Sequence, residues 1–318
     1  MTKTKFLIYS TLFLFVFSSC NKKSTITRTD TETSGTAQIA CDENFSKVME
    51  QQIAVYENDY DEAHLKPVYG NEVDVINFLL KDSIRLAFTY RELTPAEQVT
   101  IKQKGRILRS QKIATDGVAL IINKSNTDSL ISVSTIKEIL SGKVTKWNQI
   151  NPYKKSKNSN KIQVVFDNPN SSTVRYLKDS IAGGSPLAEN LRSMRNSKEV
   201  LDYVSNHKDA LGIIGVNWIS NPKDTTNLSF DSKIHVMSVS MSNPAFPDDS
   251  YKPFPAYLAL GQYPLTRNVY MLLSDVRGGL PAGFAAFVAG DTGQRIILKA
   301  GLVPATRPMR LVSLKENF

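Results

Sequence analysis

From Ala37 onward, short apolar runs alternate with stretches whose apolar residues recur at helical spacing, and this alternation constrains the fold more than any other feature. Strands and helices in turn favour α/β layers, with helices covering the faces of a sheet. Residues 37–41 form the first expected strand, which runs into Asp42-Glu43-Asn44. Phe45, Val48, Met49, Ile53 and Tyr56 then mark a helix that Asp42 or Asn44 would cap. Val75, Ile76, Leu79 and Leu80 predict a second helix, followed by a strand over 84–88. A strand over 112–122 is expected to be interrupted at Asp116-Gly117, and a short helix over 134–140 to end at Ser141-Gly142. Further strands are predicted at 162–166, 211–216 and 263–273, and helices around Val174, Leu177 and Ile181, over 284–288 and over 294–299. Residues 243–255 hold four prolines, which suits a crossover between two halves of the fold.

The first residues read as an address. Lys3 and Lys5 precede an almost wholly apolar run over 6–17, then Ser18-Ser19-Cys20. A transmembrane helix needs about 20 apolar residues, so this run is too short to span and fits a secretory signal. Small residues directly before a cysteine resemble the bacterial lipobox, which predicts cleavage after residue 19 and lipidation of Cys20. The competing reading is a plain signal peptide with a chance cysteine. Lipidation implies a cell-envelope protein held on a membrane by its N-terminal acyl chains, each buried methylene contributing about 0.8 kcal/mol. Residues 20–36 are Ser/Thr/Lys-rich and read as a flexible tether. Cys41 is then an unpaired thiol, either a buried strand residue or a reactive one.

Charge and motifs narrow the function by exclusion. The net charge of +9 owes much to residues 137–161, which carry seven lysines and one glutamate. That stretch is a solvated face or a docking patch, and an exported chain argues against nucleic acid as its partner. Two cysteines cannot build a disulfide framework, and His64, His207 and His235 lie too far apart for zinc-ligand spacing. No nucleophile elbow, metalloprotease motif, phosphate loop or dinucleotide fingerprint occurs, so no enzyme, metal site or cofactor is expected. The most informative local feature is Asn170-Ser171-Ser172-Thr173, leading from a strand into a helix: hydroxyls and free backbone N–H groups at a helix start suit an anion, or serve as an ordinary cap.

Several segments, in order, resemble the phosphate-binding, PstS-like branch of the periplasmic substrate-binding proteins. They are Asp82 through Leu93 with Glu97 after it, Asp116 through Asn126, Thr135 through Lys143 with Lys146-Trp147-Asn148, Ala210 through Gly215, Tyr263 through Arg267, and Gly293 through Pro304. The resemblance implies a two-lobed, type II periplasmic-binding-protein-like α/β fold. Lobe one would be residues 37–121 plus 255–318, and lobe two 122–254, joined by two hinge crossovers. It further implies a monomer that captures phosphate or a related oxyanion for an ABC permease. Ligands in such folds sit at strand C-termini, so the expected binding residues are Asp42, Glu43, Asn44, Phe45, Asn71, Arg91, Asn170, Ser171, Ser172, Thr173 and Arg175.

The sequence departs from the family at two of these loops. The first loop, typically rich in hydroxyls, is Asp42-Glu43-Asn44-Phe45; the family's arginine a few residues before Ser-Gly-Thr is absent, and Ser172 replaces the glycine. A like-charge pair at about 4 Å costs about 4 kcal/mol at an effective dielectric of about 20. Arg91 and Arg175 are the candidate compensators, although Arg91 could equally pair with Glu92 or Glu97. Two further readings therefore remain open: the same fold binding a cationic solute, and a surface lipoprotein using the fold for sensing or interaction without transport.

Overall fold

The computed structural model describes residues 29–306 apart from 152–158, 190, 222, 225, 227, 276 and 277. Cys20, the signal segment, the first part of the tether and the centre of the basic stretch lie outside the described residues. The last part of the expected tether is tied down. Asp30 ion-pairs with Arg85 at 3.4 Å and accepts the backbone N–H of Leu280 at 3.0 Å, and the Glu32 carbonyl accepts the Tyr56 hydroxyl.

Strand β1 (Gly35–Asp42) lies between β2 (Ala63–Gly70) and β3 (Leu86–Thr89), all three parallel. Helices cover both faces of this sheet, which is why β1 ends in the continuous buried apolar run Ile39-Ala40-Cys41. Ile39 and Cys41 face the core beneath α1 (Ser46–Asp59), while Ala40 faces a second cluster under α2 (Glu72–Leu80) and α3 (Pro95–Gln103). Cys41 is fully buried, and burial holds its thiol well above the usual range. Two of these elements escape the periodicity argument. Strand β2 contains Pro67, tolerated because β2 is the edge strand of this sheet, with no outer neighbour among the described residues. Helix α3 opens with a capping box in which the Thr94 hydroxyl accepts the Glu97 N–H and the Glu97 carboxylate accepts the Thr94 N–H.

Strand β4 (Arg109–Asn123) is unbroken, contrary to the expected interruption at Asp116-Gly117. It pairs antiparallel with β12 (Thr266–Leu273) over residues 109–117 and with β8 (Ala210–Gly215) over 118–122, so one strand serves both lobes. Asp116 and Gly117 are there for packing. Asp116 is buried against Arg267, and a side chain at Gly117 would meet Leu258 at 3.0 Å and Pro253 at 3.2 Å.

The second lobe continues from β8 through β6 (Gln163–Phe166) to β7 (Arg192–Ser193), both pairings parallel. Its helices are α4 (Val133–Leu140), capped by Ser132, α5 (Ser172–Tyr176), which passes into a π turn at Leu177–Ile181, and α6 (Ser197–Asn206). A small sheet of β5 (Leu130–Ser132), β10 (Ser238–Ser240) and β11 (Ser250–Tyr251) lies beside it, and β9 (Ile234–Val236) adds to β4. The chain returns through α7 (Pro255–Ala259) to β12, and α8 (Leu280–Ala289), α9 (Asp291–Lys299) and β13 (Val303–Pro304) follow among the described residues. The result is a two-lobed α/β fold. The carboxyl ends of β1, β2 and β6 face one cleft between the lobes, which positions the loops that follow them.

Candidate functional site

Asp42 ends β1 and caps the 3₁₀ turn Glu43–Phe45, its carboxylate accepting the Asn44 N–H at 2.9 Å. The expected helix begins one turn later, at Ser46, without a side-chain cap. That turn frees the Asn44 side chain to cross the cleft. Its amide donates to Asp167 at 2.8 Å and to the Ser172 hydroxyl at 3.3 Å, and its carbonyl oxygen accepts from Ser197 at 3.1 Å and Thr173 at 3.4 Å. The Asn44 backbone carbonyl accepts from Asn217 at 2.7 Å and from the Trp218 indole at 3.2 Å, which fixes this turn to the opposite lobe.

From that lobe come Asp167, at the end of β6, and Ser171, Ser172 and Thr173, which open α5. Ser171 caps the helix, accepting the Val174 N–H at 3.2 Å while its hydroxyl donates to Asp167. Thr173 also donates to Asp167, at 3.3 Å. Arg267, on β12, is the only buried arginine or lysine among the described residues. Its Nη1 donates to Ser172 at 3.2 Å and Thr173 at 3.3 Å, its Nε to Asp116 at 3.0 Å, and its guanidinium lies 3.7 Å from the Tyr90 ring centre. Burial works against the Arg267 charge, but Tyr90, Asp116 and Asp42 outweigh it and hold the guanidinium firmly protonated.

The carboxylates around this cation are costly to ionise. Burial, reinforced by the charge of Glu72, pushes Asp42 up to about 7, with Arg267 pulling the other way. Burial and the charge of Asp167 likewise push Glu43 up to about 7, and burial raises Asp167 against its three side-chain donors. One Asp42 carboxylate oxygen has no hydrogen-bond partner among the described residues. A cavity of about 260 Å³ opens here, bounded by Asp42, Glu43, Asn44, Asn71, Asp74, Asp167, Ser171 and Arg195. That is below the roughly 300–1,000 Å³ of pockets for drug-sized ligands, and suits a small solute.

Of the expected residues, Asp42, Glu43, Asn44, Asn71 and Ser171 border this cavity, and Ser172 and Thr173 stand behind it with Arg267. The other four are engaged elsewhere. The Phe45 side chain is fully buried in the first lobe, stacked on Phe88 at 6.5 Å. Arg91 spends its fork on Glu97, at 2.7 and 2.8 Å, the alternative to a ligand contact. Arg175 reaches Glu72 and the Tyr90 carbonyl. Asn170 is exposed and closes a local turn on Asn168. Asp167 was expected in the cleft with Asp42 and Glu43 but not as a binding residue, and Ser197 and Arg267 were not expected at the site. A basic residue at the buried-face position of β12, in register with Val269 and Met271, was the visible signal for Arg267, since a charge on the buried face of a strand needs a partner.

Similarity to known proteins agrees with this architecture. Residues 27–292 match a PBP superfamily domain. Among individual proteins, the chain is 24% identical over 208 residues to the phosphate-binding protein PstS of Staphylococcus epidermidis, covering 64% of this chain and 59% of that one. It is 26% identical over 129 residues to the phosphate-binding protein PstS 2 of Streptococcus pneumoniae, covering 41% and 42%. The chain thus spans about half the length of these relatives. Among solved structures, a putative phosphate ABC transporter substrate-binding protein from Clostridium perfringens, with bound phosphate, superposes with a TM-score of 0.70 at 20% identity, over 85% of this chain and 100% of that one. An ABC-type phosphate transport receptor from Vibrio cholerae gives 0.62 at 20% identity, over 84% and 99%. At such identity the likeness to the solved structures is one of fold alone, while the domain match over residues 27–292 shows that this chain belongs to the PBP superfamily.

Proposed function

We propose that this chain is an extracytoplasmic solute-binding protein that captures phosphate or a related oxyanion and presents it to an ABC permease. The observation that carries the reading is the convergence, from both lobes, of the Asn44 amide and the Ser171 hydroxyl on the wall of a cavity sized for a small ion, with the Ser172 and Thr173 hydroxyls and the buried Arg267 guanidinium directly behind them. The similar proteins named above, described as binding phosphate, support it. In this reading Cys20 carries the lipid anchor and the chain acts as a monomer. The lobes exchange near Gly117-Val118, where β4 changes partners, and again between β10 and β12.

A second reading, a cationic solute, is favoured by one observation. Asp42, Glu43, Asp74 and Asp167 border the cavity against Arg195 alone, and Arg195 is largely exposed and paired with Glu199. Thermal-shift titration of the purified chain with phosphate, sulfate, molybdate and a series of organic amines separates the two. Binding stabilises by RT ln(1 + [L]/Kd), about 2.7 kcal/mol at a hundredfold excess over Kd. A rise with phosphate supports the first reading, a rise with amines only supports the second, and a flat response across both series contradicts each and leaves a sensing or interaction role.

A further inference from the structure

Asp167 accepts from three side chains at once: the Ser171 hydroxyl on one oxygen, and the Asn44 amide at 2.8 Å and the Thr173 hydroxyl at 3.3 Å on the other. It is buried, and its donors come from both sides of the cleft. A planar carboxylate held by converging N–H and O–H donors is chemically what a bound oxyanion would be. We propose that Asp167 is an internal competitor for the oxyanion cradle, and that it is the residue that sets the affinity of the site for oxyanions. This rests on the oxyanion reading above.

The competition follows from connectivity. Asp167 is joined to Ser171 through three intervening residues, so its carboxylate is always at high effective concentration beside two of the three donors, whereas a solute must reach them from solution. An entering oxyanion must therefore take Ser171, Thr173 and Asn44 from Asp167 and also lie next to its negative charge. Arg267 does not relieve this directly. Its Nη1 contacts the hydroxyls of Ser172 and Thr173, and its Nη2 lies 2.9 Å from Asp116. The site of this chain is accordingly tuned to weak oxyanion capture, released only where solute is abundant or where closure rearranges the Asp167 carboxylate.

Titration calorimetry of the purified chain with inorganic phosphate tests the proposal through Asp167→Asn, which keeps the shape and one acceptor oxygen but removes the charge. Asp167→Ala, which also removes the acceptor, guards against an effect peculiar to asparagine, and Asp202→Asn, on the exposed face of α6, controls for net charge. The expected result is phosphate affinity raised at least tenfold in both Asp167 variants and changed less than twofold in Asp202→Asn, each variant melting cooperatively. Wild-type binding that is unchanged or weakened by both Asp167 substitutions overturns the proposal and leaves the oxyanion reading standing. If neither wild type nor any variant binds phosphate or sulfate, the oxyanion reading falls and the proposal with it.

Discussion

Arg175 and Glu72 hold each other across the cleft: the guanidinium on α5 donates Nε and, at 3.1 Å, Nη2 to the carboxylate that opens α2, and Nη2 also reaches the Tyr90 carbonyl at 3.1 Å. Glu72 is buried, in the first turn of its helix, where the helix dipole favours a negative charge. Arg175 was expected to meet a ligand or the acidic Asp42-Glu43 loop; its guanidinium here bonds Glu72 and the Tyr90 carbonyl, which ties α5 to the first lobe. Arg175→Ala is expected to widen the ligand-free protein, read as a larger radius of gyration by small-angle scattering. Hydrogen bonds to charged groups contribute about 1.5–3 kcal/mol. The loss here should lie near or below the lower end, because Arg175 is 32% exposed and Glu72 keeps Arg91 at 3.9 Å. An unchanged radius would show that other contacts hold the lobes.

Phe45 separates core from site. As a buried side chain against Phe88, its truncation to alanine is expected to cost about 3–5 kcal/mol in urea unfolding, while Phe45→Leu costs less and leaves solute affinity within a few-fold. A large affinity loss in a stable Phe45→Leu protein would return Phe45 to the binding site.

The raised carboxylates give stability a definite pH slope. Asp42 and Glu43, at about 7 in the folded chain, lie above the ordinary range of about 3.9–4.3. The native state therefore binds more protons than the unfolded one between these limits, so their contribution is full below about pH 4 and is lost as pH rises through 7. Glu97 acts the other way: its hydrogen bonds with Arg91 hold it down to about 2, and its smaller, partly exposed contribution is lost only on acidification below the ordinary glutamate range. The melting temperature is expected to fall by several degrees from pH 5.5 to pH 8, and Asp42→Asn to flatten the slope. A melting temperature that rises over this interval would contradict the burial of these groups.

Gly212 sits where β8 passes beneath α6 and beside β4. An added methyl would lie 2.6 Å from Val204 and 2.7 Å from Ile121. Gly212→Ala is expected to destabilise by about 1–3 kcal/mol, the cost of overpacking a filled core, measured by the urea midpoint at an unchanged slope.

The parts of the fold with strong local signals were legible in the sequence. The buried run at Ile39-Ala40-Cys41 and the helical spacing through Tyr56 needed only periodicity, and β1 and α1 formed as expected apart from their ends. Strand β2 was hidden by Pro67 and by half-burial on an edge, and α3 by its weak amphipathicity, although its capping residues Thr94 and Glu97 were in view. The site divides similarly. Loops that follow strands could be named, and Asp42 and Ser171 from those loops border the cavity. What each side chain does depends on partners far away in sequence: Arg267 on Asp116, Arg175 on Glu72, Asn44 on Asp167. Asp116-Gly117 looked like an interruption of the strand because nothing local announces that its charge is paired and its glycine pressed against Leu258.

The central claim is that one small oxyanion binds between the lobes at the Asn44, Ser171 and Thr173 donors. Equilibrium dialysis of the purified chain against radiolabelled phosphate tests it most directly, with wild type beside the double variant Ser171→Ala/Thr173→Ala. The account predicts saturable binding of one phosphate per chain, weakened at least tenfold in the double variant. Phosphate retention equal in the two proteins, or no saturable retention by wild type at millimolar phosphate, would contradict it.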